Sequence, residues 1–301
     1  MSLLSNIING LSLGSIYALI ALGYTMVYGI AKMLNFAHGD IIMIGAYIAF
    51  VVMQSINSAL SPLFAVIGAI IVCTILGILI EFLAYRPLRQ AASLAVLITA
   101  IGVSYFLQNL AQLIWTANTR IFTSVFSFAD SIHLANGELI ITWESIATVI
   151  LTIIIMLFLT WFTGRTRLGR SMRAVAEDKK AAELMGINVN FTIFLTFAIG
   201  SALAAIAGVL LCSSYPNLQP TIGAMPGIKA FTAAVLGGIG SIPGAMLGGV
   251  MLGLIETLSK AYLPAIGIPS ELSDAVVFSV LIIILLVKPT GLLGKQRHEK
   301  V

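Results

Sequence analysis

Leu11–Ala31 carries no charged side chain. A helix that crosses the hydrocarbon core of a bilayer takes roughly 20 apolar residues, so this one segment already restricts what the chain can fold into. Pro62–Ile80, Ala91–Trp115, Ser145–Thr163 and Phe191–Tyr215 have the same character. Backbone N–H and C=O groups find no water in hydrocarbon, and an α-helix satisfies them within one segment. Composition agrees: 59% of the residues are hydrophobic and 9% are charged, against about 25% charged in a soluble domain.

Three further segments are irregular. Ile41–Met53 is short, Ala275–Val287 is short, and Ala230–Ile255 is long but interrupted by Gly237–Gly244. The fold class expected is therefore all-α, a polytopic membrane helix bundle. It has about eight transmembrane helices, or nine if the interrupted segment crosses twice, as 226–237 and 243–262. Broken or short helices are expected near 31–54 and 226–262. No stretch is long and polar enough for a second folded domain, so residues 1–301 are read as one membrane domain. Residues 1–10 contain no Lys or Arg, and a cleavable signal needs that positive region. Cys73 and Cys212 lie in apolar runs and read as small packing residues.

Basic residues set the expected orientation. Arg86 and Arg89 follow the third span, Arg165 to Lys180 follow the fifth, and Lys288, Lys295, Arg297 and Lys300 end the chain. The positive-inside rule places these segments in the cytoplasm and the 116–142 loop outside. Counting crossings back puts the C-terminus inside and the N-terminus outside. Because the bases sit in short loops and the tail, the net charge of +4 is no nucleic-acid signal.

Residues 164–190 form the longest hydrophilic stretch on the expected inner side. Asp178 suits an N-cap and Gly186 a C′ position, bounding a helix of about two turns. A helix that short is marginal in water and needs a surface. The surface is either the chain's own bundle and anionic headgroups or a cytoplasmic partner.

At this loop a resemblance becomes usable. Ala176–Val189, A-x4-AAELMGINV, is similar to the coupling loop of ABC importer permeases. MVYGIAKMLNFAHGDIIMIGAY (Met26–Tyr47) and KAFTAAVLGGIGSIPGAMLGG (Lys229–Gly249) resemble two signatures of branched-chain amino acid permeases of the LivH type. In consistent order they cover residues 5–294. The resemblance implies a permease subunit importing leucine, isoleucine and valine across the plasma membrane, though relatives carry urea or other amides. It also implies a second permease subunit, two cytoplasmic ATPase subunits and an extracytoplasmic solute-binding protein. Arg173, Ala176, Glu177, Ala181, Ala182, Leu184, Gly186 and Ile187 would then form the ATPase-coupling loop.

Two breaks are expected at membrane depth, where irregular backbone is tolerated only in protein or beside a wet cavity. One spans Asn35, His38, Gly39 and Asp40; the other contains Gly237, Gly238, Gly240, Pro243 and Gly244. Both are read on the cytoplasmic side, with Asp40 capping the helix after it and His38 stabilising the loop. Lys229 either snorkels to the outer interface or pairs with a charge inside the assembly. Tyr24, Gln108 and Asn109 join it as possible path residues. Glu81 and Glu256 are read near span ends, with no special role.

The phosphate-binding pattern G-x-x-x-x-G-K-[ST] is missing; Gly291-Leu-Leu-Gly294-Lys295 is its nearest approach and is too short. The expected chain is thus no enzyme and binds no cofactor, with ATP used by partner subunits. A self-sufficient secondary transporter, the competing class, would place several ionisable groups at the midplane for ion coupling.

Overall fold

The computed structural model describes residues 3–56, 58–126, 132–134 and 139–294. Residue 130 and the bases Lys295, Arg297 and Lys300 lie outside the described residues. Helices α1 (Leu3–Ala31), α2 (His38–Ser55), α3 (Ser61–Ile80) and α4 (Ser93–Trp115) lead to a segment with three short strands, β1 (Arg120–Ile121), β2 (Ile132–Leu134) and β3 (Leu139–Ile141). Then come α5 (Trp143–Arg165), α6 (Arg167–Glu177), α7 (Lys179–Leu184), α8 (Val189–Ser214) and β4 (Asn217–Leu218). Helices α9 (Ala224–Gly237), α10 (Ile242–Tyr262) and α11 (Ser273–Val287) complete the bundle. Among the described residues, eight helices are long and apolar enough to cross a membrane. α9, with 14 residues, is shorter.

The burial pattern separates the core from the periphery. α1 is apolar on all sides and almost wholly enclosed, whereas α4, α5 and α11 present most of their surface outward. A helix hydrophobic all round belongs either to a large core or to lipid, and here both cases occur in one chain.

The main interhelical packing is paired. α1 lies along α10 and α3 along α8; α2 rests on α3 and α8, while α9 rests on α10 and α1. Matching α1–α2–α3 to α8–α9–α10 reproduces each contact. α1 runs toward the face that carries the basic loops and α8 runs away from it, so the two units are inverted relative to each other. Small residues allow close crossings: Gly14 and Gly253 meet backbone to backbone between α1 and α10.

This arrangement corrects the placement of the first break. His38 packs against Gly23, eight residues before the end of α1 at Ala31, or about 12 Å along a helix axis. The chain therefore turns back into the bundle before α2 begins. Gly39 in the first turn of α2 meets Gly223 and Gly227 at the start of α9. α2 and α9 thus start against each other inside the bundle and run to opposite faces. The partner of the Asn35–Asp40 break is the stretch before α9. The Gly238–Ser241 turn, by contrast, lies on the basic face, where Leu292 and Leu293 donate to the carbonyls of Leu236 and Gly237 at 2.8 and 2.9 Å.

On the opposite face, β1 and β4 pair antiparallel, Arg120 with Leu218 and Ile121 with Asn217. This ties the 116–126 segment to the end of α8.

Candidate functional site

The hydrophilic stretch after α5 folds as two helices. Thr166 caps α6 by accepting from Gly169 N at 3.0 Å. Gly169, Met172 and Val175 then recur every third residue and are buried, so α6 lies along the base of the bundle. The basic run concealed this spacing in the sequence. Asp178 caps α7, its Oδ1 accepting from the amides of Lys180 and Ala181 at 2.8 and 3.0 Å. At the other end Ile187 N donates to Ala182 O and Gly186 N to Glu183 O, a Schellman closure. It requires the left-handed φ of +81° found at Gly186.

α7 is anchored from below. Lys179 Nζ donates to Ala31 O at the end of α1, 2.8 Å away, where the helix dipole favours a cation. Burial lowers the Lys179 pKa, and the nearby Arg89 charge lowers it further. Arg89 bridges Glu81 and Asn190, joining the end of α3 to the start of α8. Glu81 is buried, so it is a structural ion-pair partner and not a free interfacial residue. Ala182 faces inward and Ile187 packs against the core, while Leu184 and Met185 stand 89% and 82% exposed. Arg173 donates to Gly164 O at 3.1 Å and braces the α5–α6 corner. Ala176 and Glu177 close α6.

At the start of α2, Asn35 Oδ1 accepts from Tyr85 OH at 3.0 Å and His38 lies against Tyr24, ring centroids 4.6 Å apart. The His38 ring is hydrogen-bonded to the Ile20 backbone, and its Nε2 has no hydrogen-bond partner among the described residues. Asp40 does not cap α2. The cap position is Ala37, with no side-chain bond, and Asp40 Oδ1 accepts from Gln108 Nε2 on α4 at 2.8 Å.

The third cluster joins four helices. Lys229 on α9 pairs with Glu256 on α10 at 2.8 Å and with Asp274 on α11 at 2.7 Å. Tyr17 of α1 donates to Glu256 Oε2 at 2.8 Å, and Lys260 bonds its Oε1 at 2.6 Å. Lys229 therefore does not snorkel, and Glu256 is a buried node, 1% exposed. No group of three or more metal-ligating side chains occurs among the described residues.

These features are those of a multi-span helical membrane protein. The family model described as the branched-chain amino acid transport system permease component matches residues 6–285. The chain belongs to this permease family. The high-affinity branched-chain amino acid transport system permease protein LivH of Escherichia coli K12 is 48% identical over 305 residues, covering 99% of this chain and 97% of that one. BraD of Pseudomonas aeruginosa, of the same description, is 48% identical over 308 residues, covering 99% and 98%. A solved structure, PsaBC from Streptococcus pneumoniae in complex with Fab, aligns with TM-score 0.44 and 16% identity over 95% of this chain and 90% of that chain.

In this permease the four expected path residues do not converge. Tyr24 packs on His38 and Phe231, Gln108 holds Asp40, and Lys229 sits in the ion cluster. Asn109 faces out of the bundle and donates to Tyr105 O of its own helix at 2.7 Å. Sequence reasoning passed over Asp274 and Lys260, and it took Glu256 for an interfacial residue. Each was visible singly, but Tyr17 and Glu256 are 239 positions apart, beyond any local pattern.

Proposed function

We propose that this chain is the permease subunit of an ATP-driven importer of leucine, isoleucine and valine in the plasma membrane. Residues 1–301 act as one transmembrane domain, paired with a second related permease. Two cytoplasmic ATPase subunits and an extracytoplasmic solute-binding protein complete the assembly, and the chain itself binds no nucleotide. The observation that carries this reading is the 48% identity to LivH over 99% of the chain.

The basic face is cytoplasmic in this reading, with the C-terminus inside and the N-terminus outside. α6 and α7 then project toward the ATPases, and Leu184 and Met185 are the apolar contacts they offer. Since α7 is tied to the end of α1 through Lys179, movement of α7 reaches the most enclosed helix directly. Helix-length rigidity converts a push at the basic face into displacement deeper in the bundle.

Competition decides the substrate. Uptake of labelled leucine by the assembled transporter is expected to be suppressed by unlabelled isoleucine and valine and unaffected by urea. Suppression by urea alone would replace the amino-acid reading with an amide permease.

A further inference from the structure

The face opposite the basic loops contains a cavity of about 610 Å³, walled by α1, α5, α8 and α10. Small-molecule sites typically occupy about 300–1,000 Å³. Glu144 and Lys260, charges of opposite sign, line this one cavity. Leu13 and Ala261 supply apolar wall, and Ser145 and Thr257 supply hydroxyls.

Each charged group has capacity left. Glu144 Oε1 accepts from Ser124 Oγ at 2.7 Å, and a carboxylate offers about four acceptor positions. Lys260, half exposed, gives one proton to Glu256 and an ammonium has three. Ser214 Oγ, also in the lining, is buried without a hydrogen-bond partner among the described residues. Native structures rarely leave such a group unmatched. Lys229 and Lys260 pair with Glu256 and Asp274, whereas Glu144 has no ion-pair partner among the described residues. A ligand that brings an ammonium and a carboxylate on one carbon complements the cavity on both counts.

We propose that this cavity is an acceptor site for the zwitterionic head of an α-amino acid, with Glu144 holding the ammonium and Lys260 the carboxylate. The inference rests on the amino-acid transport reading above and gives it a location. A substrate carboxylate on Lys260 competes with Glu256 for that ammonium. Occupancy therefore changes the charge balance at Glu256, which also holds Lys229 of α9 and Tyr17 of α1.

The test uses the assembled transporter in proteoliposomes, labelled without solute-binding protein, with leucine uptake measured on the same preparation after binding protein is added. Asn9, which also lines the cavity and is exposed, is replaced by cysteine, and its alkylation by a membrane-impermeant maleimide is timed. Native Cys73 and Cys212 are buried. L-Leucine is expected to slow labelling saturably. Leucinamide, which lacks the carboxylate, and 4-methylpentanoate, which lacks the ammonium, should require at least about tenfold higher concentrations, the loss of roughly 1.4 kcal/mol. Glu144→Gln should raise the half-protecting leucine concentration by a similar factor. A Ser145→Cys reporter repeats the measurement, and Lys260→Met replaces E144Q if that variant does not assemble. Equal protection by all three compounds, or none by leucine in a complex that transports leucine, overturns the site and leaves the transport reading intact. Absence of leucine uptake with protection still present overturns the transport reading instead.

Discussion

Lys229 Nζ lies 2.8 Å from Glu256 Oε1, both side chains enclosed within a bundle of apolar helices. A charge in such a setting is tolerated because it is paired, and removing one partner leaves the other uncompensated. Asp274, Lys260 and Tyr17 extend the pair into a cluster tying α9, α10, α11 and α1.

Glu256→Ala is therefore expected to destabilise the solubilised protein by about 3–5 kcal/mol, with a clear fall in melting temperature. Lys229→Met should lower it as well. In a double-mutant cycle the two changes should show a coupling of about 0.5–3 kcal/mol. Additive effects would mean that the pair contributes nothing beyond its members.

Gly186 ends α7 with φ of +81° and open space where a Cβ would go. Valine there suffers from backbone conformation and not from collision, and a β-branched residue in that region carries strain of about 1–3 kcal/mol. Gly186→Val should lower leucine uptake per ATP hydrolysed severalfold. Gly186→Asn, which tolerates the left-handed region, should retain most of it. Equal behaviour of the two variants would remove the cap from the coupling argument.

A Cβ on Gly223 would fall on the Gly39 carbonyl oxygen, whereas one on Gly102 meets nothing within 4 Å. Gly223→Ala is expected to destabilise by about 1–3 kcal/mol through overpacking. Gly102→Ala should be neutral or stabilising by up to about 1 kcal/mol, since glycine is a poor helix former. Thermal unfolding of the two variants in detergent checks the contact between the starts of α2 and α9.

Accessibility to impermeant thiol reagents tests the orientation. Leu184 and Ile121 are 89% and 81% exposed and lie on opposite faces. In intact cells Ile121→Cys should label and Leu184→Cys should not; the reverse would invert the assigned topology. Val175, at 1% exposure, is unsuitable as a reporter although it lies in the hydrophilic stretch.

The spans were legible because length and lack of charge decide them: the α4 boundaries and the end of α1 follow from runs that hydrocarbon accommodates, whereas α1 begins at Leu3, ahead of the expected Leu11. Asp178 and Gly186 were legible because capping is local. The depth of the first break was not, since Ala31–His38 turns back into the bundle only through contact with Gly23 and Gly223, residues remote in sequence. Asp40 was misread for the same reason, its partner Gln108 lying 68 positions away. The buried role of Glu256 depends on Tyr17, Lys229 and Lys260 together, and only the last is within a helical turn of it. The inverted pairing of α1–α3 with α8–α10 emerges from packing, where residues of unlike identity occupy equivalent places.

If this chain transports branched-chain amino acids only as part of an energised assembly, reconstitution separates the cases: labelled leucine uptake is compared between liposomes containing the chain alone and liposomes containing the chain, its partner permease and the ATPases, with solute-binding protein supplied outside. ATP-dependent accumulation by the assembly and none by the chain alone is the predicted result. Accumulation by the chain alone under an ion gradient would contradict the account and establish a secondary transporter.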